Sequence, residues 1–166
     1  MKKTLLSIAA ILACSASSVK AEDNNSLPQY EIFANIGAYT SFADGFADFN
    51  IFPTVGITGD IHVSSLPFYI RTGLEYVNRS QSDFDSHSAV IPALISYRFK
   101  NDKGITFQPF FGQFLAFDGE FDEGIRTGIS FMRGKYTASV MYDLCLSHGI
   151  DDDNFTFTVG YNIWKK

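Results

Sequence analysis

The sequence predicts an all-β fold: an eight-stranded antiparallel up-and-down β-barrel of the transmembrane type, preceded by an N-terminal signal peptide. Three observations support this prediction. Apolar and polar residues alternate with a period of two along most of the chain, which is typical of strands. Polar turns interrupt the alternation about once per strand length. The connecting segments also alternate between long and short, as they do in outer-membrane barrels.

The composition limits the classes of protein that fit. The chain has 166 residues, of which 46% are hydrophobic, 16% aromatic and 19% charged, and its formal net charge is −5. One domain suits this length. A disordered chain and a nucleic-acid binder both need more charge, and the second needs a positive excess. With one of its two cysteines inside the leader, the mature chain is expected to have neither an intramolecular disulfide nor a Cys-based zinc site.

The first residues predict export from a bacterial cytoplasm. Lys2 and Lys3 precede a short apolar run, and Val19-Lys20-Ala21 is a typical cleavage site. We therefore expect residues 1–21 to be a signal peptide, 22–29 a periplasmic stub and 30–166 the barrel. The alternative is a lipoprotein box that ends at Cys14.

Eight alternating runs are predicted as strands, taken in chain order. No later apolar stretch is long enough for a membrane helix, which needs about 20 residues. The predicted strands are Tyr30–Thr40, Phe49–Val63, Pro67–Asn78, Ala89–Lys100, Ile105–Phe117, Phe121–Arg133, Lys135–Leu146 and Asn154–Trp164.

The connections separate into two rims. The tight ones are Ser64–Leu66, Asn101–Gly104 and Gly134. The polar ones at the other rim are Ser41–Asp48, Arg79–Ser88, Ser147–Asp153 and the shorter Asp118–Glu120. A membrane barrel has short periplasmic turns and longer outer loops. This pattern predicts that both termini lie on the periplasmic side, with any binding in the outer loops.

Each strand has an uncharged apolar face, opposite a face that carries charge. In the third strand Leu74 and Phe68 lie opposite Arg71 and Glu75. A soluble sandwich also alternates in this way. The positions of the aromatic residues are therefore what favours a membrane barrel over a soluble sandwich. One rim collects a predicted aromatic girdle, which is expected at a membrane interface. Its members are Tyr30, Phe68, Tyr97, Phe99, Phe107, Phe131, Tyr136 and Tyr161.

The inward charges predict a lumen held by ion pairs. By parity they are Glu31, Asp60, Arg71, Glu75, Arg98, Arg126 and Asp143. Four acids against three arginines are nearly balanced, and an eight-stranded barrel is just wide enough for its own side chains. We expect a packed lumen without an open pore; the alternative is a proton or ion path.

The fifth strand fits the pattern least well. Its parity points Phe110 and Phe114 inward, and Pro109 and Gln113 outward. Pro92 interrupts the fourth strand, where a closed barrel has no free edge for a missing N–H donor. Local bulges are expected at both places.

Three further groups of residues are candidate sites. His62 and Ser64, with Glu75 on the next strand, suggest a lipid hydrolase, but no oxyanion hole is evident. The acidic segments 151–154 and 118–123 lack the spacing of a calcium loop. Cys145 is interpreted as an inert inward thiol. The sequence therefore predicts no catalytic residues, no cofactor and no metal.

Several segments resemble the PorT-like family, the small outer-membrane barrels of Bacteroidota. The resembling segments are Ile91–Phe99, Gln108–Gly112, Phe121–Gly124, Met141–Ile150 and Thr158–Ile163. Gln108 replaces a glycine of the family pattern, and Trp164–Lys166 extends past the usual aromatic end. The resemblance implies an outer-membrane barrel, without a shared substrate or reaction.

The sequence thus predicts a non-enzymatic outer-membrane protein whose surface loops have structural or interaction roles. Its expected partners are the outer-membrane bilayer and the barrel-assembly machinery, with no nucleic acid and with the partner of the loops unknown, and the protein is expected to be a monomer. Two alternatives stay open: a soluble periplasmic barrel that binds an apolar ligand, and a lipid-modifying barrel enzyme.

Overall fold

A closed ring of antiparallel strands makes up most of the described structure. The computed structural model describes residues 20–21, 28–41, 50–63, 66–81, 84–117, 121–146 and 154–166. The strands are β1 (Lys20–Ala21), β2 (Tyr30–Ser41), β3 (Asn50–His62), β4 (Phe68–Gln81), β5 (Phe84–Tyr97), β6 (Phe99–Lys100), β7 (Thr106–Phe117), β8 (Phe121–Arg133), β9 (Tyr136–Cys145) and β10 (Asn154–Lys165).

The barrel closes through one pairing, between its first and last long strands. It counts as eight-stranded because β5 and β6 together form one strand of the wall, and β1 is a two-residue strand beside β6. β2 pairs with β3, β3 with β4 and β4 with β5; β5 and β6 both pair with β7, and β7 to β10 continue the ring. β10 then pairs with β2, so no edge of the eight-stranded sheet stays open. Closure satisfies the backbone donors and acceptors that an open sheet would expose. The predicted eight-stranded antiparallel barrel is confirmed.

The two chain ends of the barrel meet at the rim that carries the tight turns. The backbone amide of Tyr30 donates to the carbonyl of Lys166 at 3.1 Å, and Lys166 returns a bond to Tyr30 at 3.0 Å. Gly104 and Gly134 have positive φ angles of 74° and 62° in the turns of the same rim. Glycine adopts this left-handed conformation without a steric penalty. We call this end the tight-turn rim.

One predicted loop is wrong in its length. The sequence predicts a long connection over Arg79–Ser88, but β4 and β5 pair through this segment, from Arg79↔Ser86 to Gln81↔Phe84. Polar composition indicated a loop because exposed loops are polar. A hairpin extended beyond the apolar part of the wall can be equally polar, since its backbone hydrogen bonds are made between the two strands.

The bulges expected at Pro92 and Pro109 are absent from the described pairings. Pro92 lies opposite Phe114 and Pro109 opposite Ile129, and both ladders keep a constant register. On the other side of β5, the ladder with β4 is interrupted between Thr72↔Ala93 and Glu75↔Val90. The register is the same before and after this gap. Proline has no N–H to donate, so its ladder loses bonds there while the strand keeps its alignment. The shift that is found lies in β10, between Asn162 and Trp164.

Most of the predicted signal peptide lies outside the described residues, and so does Cys14. Lys20 and Ala21 are described, and they pair with Lys100 and Phe99. No helix in the described part of the chain is long and apolar enough to cross a membrane.

The distribution of side chains is inverted relative to a soluble protein. Among the described residues, 28 large apolar side chains are exposed, whereas the buried set contains 19 polar or charged residues and 11 hydrophobic ones. Leu74 is 58% exposed while its near neighbour Arg71 is 7% exposed. Polar side chains therefore predominate in the interior, and apolar ones cover the outer wall.

Candidate functional site

A buried hydrogen-bond network lies inside the barrel near the tight-turn rim, and Asp60 is its centre. Arg71 donates through Nε and Nη2 to the two carboxylate oxygens of Asp60, at 2.8 and 3.0 Å. Arg98 Nη2 and Gln108 Nε2 donate to Oδ2 of the same carboxylate at 2.6 and 3.0 Å. Fork-shaped pairs of this kind are the stronger hydrogen bonds of proteins, because both partners are charged and held in plane.

The same network joins strands on distant parts of the ring. Arg98 also donates to Glu31, which accepts a bond from Asn162 at 2.9 Å. Arg71 Nη1 reaches Ser130 Oγ at 2.7 Å. These contacts connect β2, β3, β4, β8 and β10 across the lumen. We call the group the lower cluster; its charged members are Glu31, Asp60, Arg71 and Arg98.

A second charged group lies deeper in the barrel, away from the tight-turn rim. Arg126 donates through Nε and Nη2 to the carboxylate of Asp143 at 2.7 and 2.8 Å, and through Nη1 to Glu75 at 2.6 Å. Arg126 is 1% exposed. This upper cluster contains one cation and two carboxylates, whereas the lower cluster contains two of each.

Two inward phenylalanines cover the arginines of these clusters. The guanidinium of Arg71 lies 5.0 Å from the ring centre of Phe110, and that of Arg126 lies 5.5 Å from the ring centre of Phe114. Glycines opposite the rings make the space: a Cβ built at Gly128 would come within 2.6 Å of the ring of Phe110. The sequence predicts that Phe110 and Phe114 of the fifth predicted strand, which is β7 in the structure, point inward, and both do. Their cation–π contacts with the arginines offset the absence of polar side chains at these two interior positions.

These small positions lead to a stability prediction. Gly128→Val is expected to destabilise the barrel by about 1–3 kcal/mol, because the added side chain overpacks the contact with Phe110. Urea unfolding of the detergent-refolded protein measures the change. Gly104→Ala is the control: a Cβ there would meet no atom within 4 Å, although its φ of 74° adds some strain. Equal losses for both variants would contradict the packing argument.

Buried apolar side chains lie beyond the upper cluster and beside it. Tyr39, Val77, Val90, Phe114 and Ala116 form one buried group toward the outer rim, and Leu94, Phe110 and Met141 form another near mid-barrel. A lumenal cavity lined by Asn35, Glu75 and Thr137 measures about 20 Å³. That volume holds about one water molecule, far less than the roughly 300 Å³ with which small-ligand pockets begin.

Sequence reasoning missed the uncharged members of the network. Gln108 is fully buried and bridges Asp60, Ser96 and both lower arginines. Ser130 and Ser139 are buried, and their Oγ atoms lie 2.8 Å apart, within hydrogen-bond distance. Parity places these residues inward, so a search for inward amides and hydroxyls as well as charges finds them in the sequence.

The aromatic residues predicted as a girdle lie near the tight-turn rim and contact one another. Phe68, Tyr97, Phe99, Phe107 and Phe131 form a continuous series of ring pairs, with centroid separations between 5.0 and 6.4 Å. Tyr136 packs on Tyr161 at 5.5 Å, and Tyr30 stacks on Trp164 at 6.3 Å. Trp164 therefore joins the predicted set.

The geometry does not assemble the hydrolase suggested by His62. The Nε2 atom of His62 lies 2.9 Å from the carbonyl oxygen of Leu66, and its ring packs against Tyr69. The register places His62 opposite Tyr69, six residues from Glu75, which bonds to Arg126 instead. Ser64 lies outside the described residues.

The other candidate groups have ordinary surroundings or are not described. Cys145 is half-buried, and its Sγ lies 3.9 Å from the amide nitrogen of Asn154. Residues 118–120 and 147–153, which include most of the acidic loops, lie outside the described residues. Within the described ranges, no group of three or more His, Cys, Asp or Glu side chains is placed to hold a metal ion.

Comparison with known proteins finds similar folds among solved structures. No family model and no curated protein matches the chain. The structure is similar to Ail, the attachment invasion locus protein of Yersinia pestis, with a TM-score of 0.51 and 11% identity over 81% of this chain and 97% of that chain. Ail in complex with the heparin analogue sucrose octasulfate matches with a TM-score of 0.50 and 10% identity, over 80% and 96% of the two chains.

A transmembrane β-barrel designed de novo is similar to the same degree. Its TM-score is 0.51 and its identity 11%, over 83% of this chain and 98% of the designed one. At these identities the likeness shows the fold alone. The chain is a closed eight-stranded antiparallel β-barrel whose fold is similar to that of Ail and of a designed transmembrane barrel.

Proposed function

We propose that this protein is a non-enzymatic barrel of the bacterial outer membrane, which acts as a monomeric scaffold for its surface loops. Its lumen is plugged by ion pairs, and its loops have structural or interaction roles. The bilayer and the barrel-assembly machinery are its proposed partners, and the PorT-like barrels of Bacteroidota are its proposed family. The inverted distribution of side chains carries the proposal.

The exposed apolar wall supports the membrane location. Ile57, Leu74, Val140 and Val159 are between 43% and 58% exposed and lie on four different strands of the ring. Soluble monomers rarely expose contiguous apolar patches larger than a few hundred Å². In lipid the same wall needs no other cover, and the closed ladder leaves no unpaired edge in the hydrocarbon.

The interior supports a scaffold and argues against both rival functions. An apolar ligand needs an apolar cavity, but charged clusters and packed side chains occupy the described lumen. A lipid hydrolase needs a nucleophile beside an oriented base, but His62 and Glu75 have separate partners. The function is then carried by the segments outside the barrel wall. In barrels of this kind the long loops face the exterior.

Cell fractionation followed by unboiled gel electrophoresis tests the proposal. The protein is expected in the outer-membrane fraction, with a different mobility before and after heating, because a closed barrel resists detergent until it is heated. Recovery in osmotic-shock fluid without a mobility shift would support the soluble barrel instead.

A charge placed on the outer wall tests the same location energetically. Leu74→Arg is expected to cost about 2–4 kcal/mol of stability in lipid, as arginine does at the bilayer midplane. Leu66→Arg is the matched control, because Leu66 lies in a turn of the tight-turn rim and the expected cost there is only about 0–1 kcal/mol. Urea unfolding in lipid vesicles gives both values, and equal costs would contradict a membrane-embedded wall.

A further inference from the structure

The exposed cations of the tight-turn rim lie on one part of its circumference. The segment between β3 and β4, residues 63–67, contains no charged residue in its sequence, and Asp102 is the exposed acid on the β6–β7 turn. The exposed cations are Lys100, Lys103, Arg133, Lys135, Lys165 and Lys166. All six belong to the half of the ring from β6 to β10. Counted over the described residues, this half of the rim has a positive excess, although Lys165 lies 3.5 Å from the carboxylate of Glu31.

An apolar groove of about 700 Å³ runs along the outer wall on the same side. Ala34 and Ala138 line it, together with the larger Phe131, Tyr136 and Tyr161. The register places Ala34 beside Tyr161 and Ala138 beside Phe131. The depression follows from this arrangement, since the two small methyl side chains lie beside aromatic rings that stand higher on the wall.

The groove leads from the apolar wall to two of the cations. Arg133 is exposed and lines the groove. The Nζ atom of Lys135 lies 5.7 Å from the ring centre of Tyr161, so this ammonium is held above the groove wall. Arginine and lysine at the end of an apolar channel suit an amphiphile with a phosphate between its head and its chains.

We propose that this groove binds an anionic phospholipid. One acyl chain lies against Ala34 and Ala138, and the phosphate lies beside Arg133 and Lys135. A zwitterionic lipid fits the apolar part equally, but its own cation meets the same positive rim. The sign of the rim charge therefore selects the anionic headgroup. This inference rests on the proposed membrane location of the barrel.

Native mass spectrometry of the protein purified in dodecyl maltoside tests the inference. The protein is titrated with phosphatidylglycerol and, separately, with phosphatidylcholine, both with dioleoyl chains and at one ionic strength. The first phosphatidylglycerol is expected to bind about tenfold more tightly, since each cation near a lipid headgroup adds attraction. Arg133→Gln/Lys135→Gln should bring the two affinities close together, and Ala138→Trp should weaken binding of both lipids by filling the groove.

Matched variants separate a defined site from diffuse charge. Lys100→Gln/Lys103→Gln removes the same charge from the neighbouring turn, and Ala93→Trp adds the same bulk on the outward face of β5; both should keep the preference. Equal binding of the two lipids, or equal losses in both charge variants, overturns the inference. Each variant is first checked for the heat-dependent gel shift, so that failure of the barrel is seen separately from failure of lipid binding.

Discussion

Asp60→Ala is expected to cost about 3–5 kcal/mol of stability, the range for removing one partner of a buried ion pair. Asp60 is 1% exposed and accepts hydrogen bonds from Arg71, Arg98 and Gln108. Without it, two guanidinium groups share the lumen with Glu31 as the remaining carboxylate of the lower cluster. The loss combines broken bonds with repulsion between the two cations.

Urea unfolding of the detergent-refolded protein measures this loss, with the fluorescence of Trp164, the chain's one tryptophan, as the signal. Asp102→Ala is the control, because Asp102 is exposed on a turn of the same rim and its removal should change stability by less than about 0.5 kcal/mol. A loss below 1 kcal/mol for Asp60→Ala would contradict the role given to the lower cluster.

Arg126→Met is expected to cost a comparable amount of stability, about 3–5 kcal/mol, but here the group removed is a buried cation and the charges left behind are negative. Arg126 bonds to both Asp143 and Glu75, and its removal leaves two buried carboxylates facing each other. Methionine keeps much of the volume, so the loss reports the charge and its hydrogen bonds.

Glu75→Gln is the informative partner of this experiment. The upper cluster has one more carboxylate than cations, so neutralising Glu75 leaves Arg126 and Asp143 as a balanced fork. The glutamine oxygen still accepts the bond from Nη1. The stability of Glu75→Gln should lie within about 1 kcal/mol of the unaltered protein, whereas a loss equal to that of Arg126→Met would contradict the charge balance described for this cluster.

Strand parity made much of the barrel predictable. The alternation around Arg71 and Leu74 is a local property of the backbone, because successive side chains in a strand point to opposite faces. The eight strands and the antiparallel ring follow from such runs and the turns between them. The structure places all seven charged residues predicted for the lumen on the inner face, and the inward rings of Phe110 and Phe114 follow the same rule.

The partners of the inward residues were not predictable in the same way. Arg98 bonds to Glu31, which is 67 residues away in the sequence, and Arg71 bonds to Ser130, which is 59 residues away. Such pairs depend on strand tilt and on the stagger of the ring, which no local pattern encodes. The extended hairpin at Arg79–Ser88 was missed for a similar reason, since pairing between two polar strands gives no apolar alternation.

Fluorescence quenching by lipid is the most direct test of the inverted wall. In a Cys145→Ala background, single cysteines at Ile57, Leu74, Val140 and Val159 are labelled with a fluorophore, and the protein is inserted into vesicles that contain brominated phospholipid. Strong quenching by the brominated chains, with weak quenching by aqueous iodide, is predicted at all four positions. Strong iodide quenching with no effect of the brominated lipid would show that these side chains face water, and would contradict the account.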